Sequence, residues 1–174
     1  ETTGEYYLHQ YCSKMPDMNW EYEPLRQELY KMLRWWLELG VDGFRLDVFT
    51  RIKKPAGFPD TTKKPDPQLD RNGFVMDGTM CQCREGIHEF IQEMHREVFG
   101  KYDCYTVGEG AGVTWENAAG FIDLRRKELD SVYHFQLTSR FAPTFTLEKY
   151  RQVQSKWAEQ VSKDFWPTQY LSNH

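Results

Sequence analysis

Cysteine is scarce in this chain: Cys12, Cys81, Cys83 and Cys104 are the only four in 174 residues. A disulfide-stapled mini-domain is far shorter and far richer in cysteine, so free thiols and a reduced, cytoplasmic setting are expected. Cys81-Gln-Cys83 has one intervening residue where common zinc knuckles have two to four, and no second pair follows, so no metal is expected. No apolar run approaches the roughly 18 residues of a membrane span, and no charged-then-apolar leader opens the chain, so no membrane partner is expected. An excess of basic charge is also missing. The 22 Lys and Arg face 26 Asp and Glu, a net charge of −4, and no cluster of cations offers a nucleic acid the phosphate contacts that it needs. The first residue is Glu1, so the native start is expected upstream and localisation is only weakly bounded.

What is present is ordinary globular material, 40% hydrophobic and 16% aromatic, enough for one domain with a real core. Leu25, Leu29, Met32, Trp36 and Leu39 recur at helical spacing, with Pro24 in the first turn and Gly40 just past the end. Val41 to Phe49 is short, branched and aromatic, and reads as a buried strand. A long loop follows over 50–84, marked by Pro55, Pro59, Pro65 and Pro67; such loops in compact domains usually line a functional site. Ile87, Phe90, Ile91, Met94 and Val98 mark a second helix, and Tyr102 to Gly108 a second strand. Ser131 to Gln136, then a helix through Leu147, Tyr150, Val153, Trp157 and Val161, then Thr168 to Ser172, complete the alternation. Alternating helices and buried strands mean an α/β fold with a parallel sheet, either open or part of a barrel, since a whole eight-stranded barrel takes about 250 residues.

Ligand sites in such folds lie at the carboxyl ends of the strands, which selects Asp47, Glu109 and His174. Side chains two apart share a strand face, so Arg45 and Asp47 point one way while Phe44, Leu46 and Val48 point the other. Arg45 favours the ionised form of Asp47. Tyr105, Val107 and Glu109 share parity on the next strand, placing a second carboxylate near the first. An anionic carboxylate beside a proton-donating one is the equipment of retaining glycoside hydrolysis, at a separation of about 5 Å. The plainer alternative is a structural Arg–Asp pair beside a surface glutamate, and spacing alone leaves both open.

These residues also carry a resemblance. Gly40-Val-Asp-Gly-Phe-Arg-Leu-Asp-Val48 resembles the nucleophile motif of the α-amylase family of glycoside hydrolases (family 13), and Thr106-Val-Gly-Glu109 resembles its acid/base motif. Leu171-Ser-Asn-His174 is similar to the start of the family's last motif, and Met15-Pro-Asp-Met-Asn19 to the segment where its inserted loop domain returns to the barrel. The motifs occur in family order, and the pattern resembles most the oligo-1,6-glucosidase type of α-glucosidase. The resemblance implies a partial (β/α)8 TIM barrel, about strands four to seven, with residues 1–20 as the return segment and 21–174 as barrel. It implies Asp47 as nucleophile, Glu109 as general acid/base, and Arg45 and His174 as sugar-binding residues of the innermost subsite. Val48 resembles members that prefer α-1,6 links, where maltase-like members carry Thr or Ala. The implied partner is an oligosaccharide, and no cofactor is implied.

The pattern also departs from the family. The third catalytic carboxylate would follow His174, and the early barrel strands have no counterpart, so the chain is expected to be an internal fragment that is inactive alone. Gly110-Ala111-Gly112 stands where relatives have a bulkier residue and Pro, and Cys81-Gln-Cys83-Arg84-Glu85-Gly86 replaces an Asn-Gly-Pro-Arg approach to the helix.

Among other residues, His88 and His95 lie seven apart on one helix, about 10 Å by helical rise, too far to share a metal. At most one of Trp35 and Trp36 faces the core stripe, and core packing is preferred to sugar stacking for it. Asp17 beside Pro16 reads as a turn residue before a cation ligand. His9 and His134 have no assignable partner. A transglycosylase or sucrose isomerase, a non-catalytic transporter-associated or binding protein on the same barrel, and a metal-dependent α/β enzyme remain as rival classes.

Overall fold

A computed structural model of the chain describes residues 3–64, 75, 77–137, 146–160, 165 and 168. Among them, three strands form a parallel sheet in the order β1 (Gly43–Leu46), β2 (Tyr105–Gly110), β3 (Ser131–His134). Helix α1 (Glu23–Glu38) precedes β1, α2 (Ile87–Glu97) connects β1 to β2, and a single helical turn α3 (Ala119–Ile122) lies between β2 and β3. Helix α4 (Leu147–Gln160) follows the sheet. The expected α/β alternation with parallel strands is therefore present. The expected fourth strand, Thr168 to Ser172, lies outside the described residues except for Thr168, whose N–H donates to the Val132 carbonyl at 3.1 Å.

Helix α1 has Pro24 in its first turn and closes on a Schellman pair, Gly40 N–H to the Leu37 carbonyl at 3.0 Å and Val41 N–H to that of Trp36 at 3.2 Å. Its inward stripe is not the expected one. Tyr30 and Leu37 are buried and Leu33 packs against the core, while Met32, Trp36 and Leu39 are exposed, as is Trp35. Two apolar stripes run along this helix one residue apart, and periodicity cannot say which meets the sheet. Trp35 and Trp36 instead pack edge to face against each other, ring centroids 4.7 Å apart.

Helix α2 matches its pattern: Ile87, Phe90, Ile91, Met94 and the following Val98 are all buried. On α4, Val153 and Trp157 are buried; Trp157 stacks on the buried His134 at 4.4 Å and donates from Nε1 to Gln136 Oε1 at 2.7 Å. Burial holds the His134 imidazole down to about 4, so it is neutral at pH 7.

The first strand ends earlier than the expected Phe49. Val48 takes a left-handed conformation (φ 40°, ψ 37°), and a 3₁₀ turn over Phe49–Arg51 folds the Phe49 ring beneath the sheet. There it fills space that only a glycine at position 108 leaves: a Cβ on Gly108 would stand 2.5 Å from Phe49 Cε1 and 2.8 Å from Leu129 Cδ1. The second strand is shifted likewise, to Tyr105–Gly110 in place of Tyr102–Gly108, and the third stops at His134. Within the expected long loop, the described part carries a second 3₁₀ turn, Gly78–Cys81, started by the Asp77 side chain accepting from Thr79 N–H. All four cysteines are free thiols. Among the described residues, no helix is long and apolar enough to cross a membrane.

Candidate active site

The strand register brings the chemistry together. Arg45 pairs with Val107 across β1 and β2, and Glu109 pairs with Tyr133 across β2 and β3. Side chains alternate along each strand, so Arg45, Asp47, Glu109 and Tyr133 emerge on one face, at or beyond the carboxyl ends of three neighbouring strands. Phe44 and Leu46 point to the opposite face and join the core.

Arg45 is the hub. Its Nη1 pairs with Asp47 Oδ1 at 2.7 Å and its Nη2 with Glu109 Oε2 at 2.6 Å, while its Nε donates to the Tyr133 hydroxyl at 2.7 Å. The guanidinium therefore spends each of its three nitrogens on a different partner, one from each strand unit. The Val48 N–H donates to the same Glu109 oxygen at 3.3 Å, so the left-handed turn after β1 aims a backbone donor at the second carboxylate.

The two carboxylates sit in unequal surroundings. The Asp47 side chain is 69% exposed and that of Glu109 only 12%, so water solvates the charge on Asp47 far better. Burial first, and then a hydrogen bond with Asp47, push the Glu109 carboxyl above its ordinary range, against the opposing pull of Val48 N–H and Arg45. Glu109 therefore keeps a proton more readily than an ordinary glutamate does.

Beside them a cleft of about 210 Å³ is lined by Tyr11, Met15, Trp20, Asp47, Val48 and Arg51. The 8–20 segment forms its wall, and Asp17 fastens that segment. The Asp17 carboxylate accepts from the Gln10 N–H and side-chain amide, each at 2.7 Å, and pairs with Lys54 at 2.7 Å. Although burial opposes it, these donors hold the Asp17 carboxyl below its usual value. Asp17 is thus an anchor of the wall, more than the simple turn residue the sequence suggests.

Of the residues singled out from sequence, the structure brings Arg45, Asp47, Val48 and Glu109 together; His174 lies outside the described residues. Tyr133 escaped the sequence reading because only the β2–β3 register places it beside Glu109. Glu128 escaped it too. Its buried carboxylate accepts from Arg126 Nη2 at 2.9 Å and Gln92 Nε2 at 3.0 Å and meets His88 Nδ1 at 2.8 Å, while His95 Nδ1 lies 3.2 Å from its carbonyl. Both helix histidines thus serve packing. A larger cavity, about 820 Å³, lies near them between Gln92, His95, Arg96 and the 125–127 turn, at the amino-terminal end of the sheet. Its arginines pair with Glu97, Asp123 and Glu128. Among the described residues, no group of three His, Cys, Asp or Glu side chains is arranged to hold a metal ion.

The family model for the α-amylase catalytic domain matches residues 1–174. The chain belongs to the α-amylase family of glycoside hydrolases. It is 38% identical over 186 residues to an oligo-1,6-glucosidase of Parageobacillus thermoglucosidasius and 37% identical over 187 residues to an α-glucosidase of Pediococcus pentosaceus. Each alignment covers 100% of this chain and 32% of the relative, so the chain spans about a third of the length of these curated family members. Among solved structures, a trehalose-6-phosphate hydrolase of Bacillus licheniformis superposes with a TM-score of 0.82 at 35% identity, over 98% of this chain and 30% of that one. A trehalulose synthase superposes with a TM-score of 0.82 at 38% identity, over 98% and 31% respectively.

Proposed function

We propose that this chain is the central part of the catalytic (β/α)8 barrel of a retaining, exo-acting α-glucosidase. In this reading β1, β2 and β3 are barrel strands four, five and six. Residues 1–20 are the return segment of the inserted loop domain, and residues 21–174 are barrel. The observation that carries the function is the single Arg45 guanidinium divided between an exposed Asp47 and a half-buried Glu109 whose carboxyl is raised above its ordinary range.

The chemistry follows from that inequality. Glu109 donates its proton to the glycosidic oxygen as an Asp47 oxygen attacks the anomeric carbon from the opposite side. The carbon–oxygen bond to the leaving sugar breaks and an ester to Asp47 forms. Water then attacks the same carbon and gives its proton to Glu109, releasing the sugar with its anomeric configuration retained and Asp47 regenerated. The shared Arg45 guanidinium, 2.7 Å from Asp47 and 2.6 Å from Glu109, supports the short spacing of about 5 Å used by retaining enzymes over the roughly 6.5–9.5 Å of inverting ones.

Terminal α-1,6-linked glucose of short oligosaccharides is the proposed substrate, with α-1,4 links second. Val48 after the nucleophile and the oligo-1,6-glucosidase relatives support that order. His174 is proposed to bind the same glucose. The exposed apolar stripe Met32, Trp35, Trp36 and Leu39 on α1 is a surface that a neighbouring barrel helix would cover, and by itself the chain is expected to be inactive. A second reading, transfer of the sugar to another hydroxyl or isomerisation of sucrose, is favoured by the likeness to a trehalulose synthase. A non-catalytic binding protein on the same barrel has no use for an arginine shared between two carboxylates.

Incubating the complete barrel with isomaltose, maltose and sucrose separates these readings. Glucose from isomaltose supports the first, rearranged disaccharides from sucrose support the second, and unchanged sugars bound without turnover support a binding protein.

A further inference from the structure

We infer that Tyr133 is a positioning residue for the Arg45 guanidinium, holding it shared between Asp47 and Glu109. The inference rests on the glycosidase reading of that site. A guanidinium left to itself favours a fork in which two parallel N–H groups grip one carboxylate. In this site the fork is split, with Nη1 on Asp47, Nη2 on Glu109 and Nε on the Tyr133 hydroxyl at 2.7 Å. The hydroxyl takes the single Nε–H, so the third nitrogen is held as well and the plane of the cation is fixed from the third strand. The Arg45 Cζ also lies 5.8 Å from the centre of the Tyr133 ring, which limits rotation from the side. Tyr133 in turn is set by its pairing with Glu109 across β2 and β3 and by an edge-to-face contact with Phe135 at 5.9 Å.

Removal of the hydroxyl leaves Nε without that partner. The cation then turns to grip Asp47, its neighbour on the same strand, and withdraws from Glu109. Among the described residues, the charged and titratable groups facing Glu109 are Arg45 and Asp47 from β1 and its tip, Tyr133 from β3, and Tyr11 from the wall segment. Of these only Arg45 is a cation, so its withdrawal raises the proton affinity of Glu109. The alkaline limb of the rate profile, which reports loss of the acid's proton, moves upward, while the acidic limb, set by Asp47, stays or moves down.

The test uses the complete barrel carrying Tyr133→Phe, with Tyr133→Leu and Glu109→Gln beside it. The expected result for Tyr133→Phe is a fall in kcat of about tenfold and an alkaline limb displaced upward by roughly 0.5–1 pH unit. The thermal midpoint stays near that of the parent, because the ring is kept. Tyr133→Leu, which removes the ring as well, shows the same displaced limb together with a lower thermal midpoint. If Tyr133→Phe lowers kcat but leaves both limbs in place, or changes neither, the positioning role is overturned. Glu109→Gln reports on the underlying reading separately, since an active Glu109→Gln enzyme removes the glycosidase assignment whatever Tyr133 does.

Discussion

Alanine at position 43 would place its Cβ 1.9 Å from the Tyr105 carbonyl oxygen and 2.8 and 2.9 Å from the Tyr105 carbonyl carbon and nitrogen. All three are backbone atoms of the paired strand, so no side-chain rotation relieves the contact. Cβ contacts below 3.0 Å are essentially never seen, so β1 and β2 must separate by 3.0 − 1.9, about 1.1 Å, at the Gly43–Tyr105 pair. Arg45 and Asp47 ride on β1 and its tip, Glu109 on β2. A shift of that size carried to the Arg45–Glu109 contact takes it from 2.6 Å beyond hydrogen-bonding reach. Misplacement of reacting groups by about 1 Å costs on the order of 10²-fold in rate, and overpacking of this kind costs about 1–3 kcal/mol of stability. In the complete barrel, Gly43→Ala is therefore expected to lower kcat on isomaltose about a hundredfold and to lower the urea midpoint. A Gly43→Ala enzyme with the parent's kcat and midpoint would refute the claim that this strand contact sets the carboxylate geometry.

Other perturbations test separate parts of the account. The Glu109 carboxyl binds its proton more tightly folded than unfolded, so its ionisation opposes folding. That penalty is absent below the unfolded pKa and fully present above the folded one. Glu109→Gln should therefore raise the thermal midpoint relative to the parent at pH 7 and not at pH 4; a lower midpoint at pH 7 contradicts this. Glu128→Ala removes the partner of Arg126 and Gln92 and empties a buried site, and is expected to cost about 1–3 kcal/mol in a denaturant titration, a loss that a surface glutamate would not show. Val48→Thr should lower the ratio of isomaltose to maltose hydrolysis, and an unchanged ratio would remove Val48 from linkage choice.

How much of this was legible in the sequence depended on whether one element or several had to be known. Helix α2 was readable because every member of its apolar stripe is buried, and the Arg45–Asp47 pairing followed from strand parity alone. Helix α1 was readable as a helix but not in its orientation, since Tyr30, Leu33 and Leu37 compete with Met32, Trp36 and Leu39 for the inward face. The ends of β1 were set by Phe49 seeking the space over Gly108, a contact between two strands' worth of sequence. Tyr133 needed the β2–β3 register, and the partners of His88 and His95 needed Glu128 to be brought back from some 30 to 40 residues away. Local pattern carries the first group, and only tertiary pairing carries the second.

The most direct measurement is the anomeric outcome of isomaltose hydrolysis by the complete barrel, followed by NMR, alongside its Asp47→Asn variant. The account requires glucose released first as the α-anomer by the parent and no turnover by the variant. Release of the β-anomer, or undiminished activity in Asp47→Asn, contradicts it.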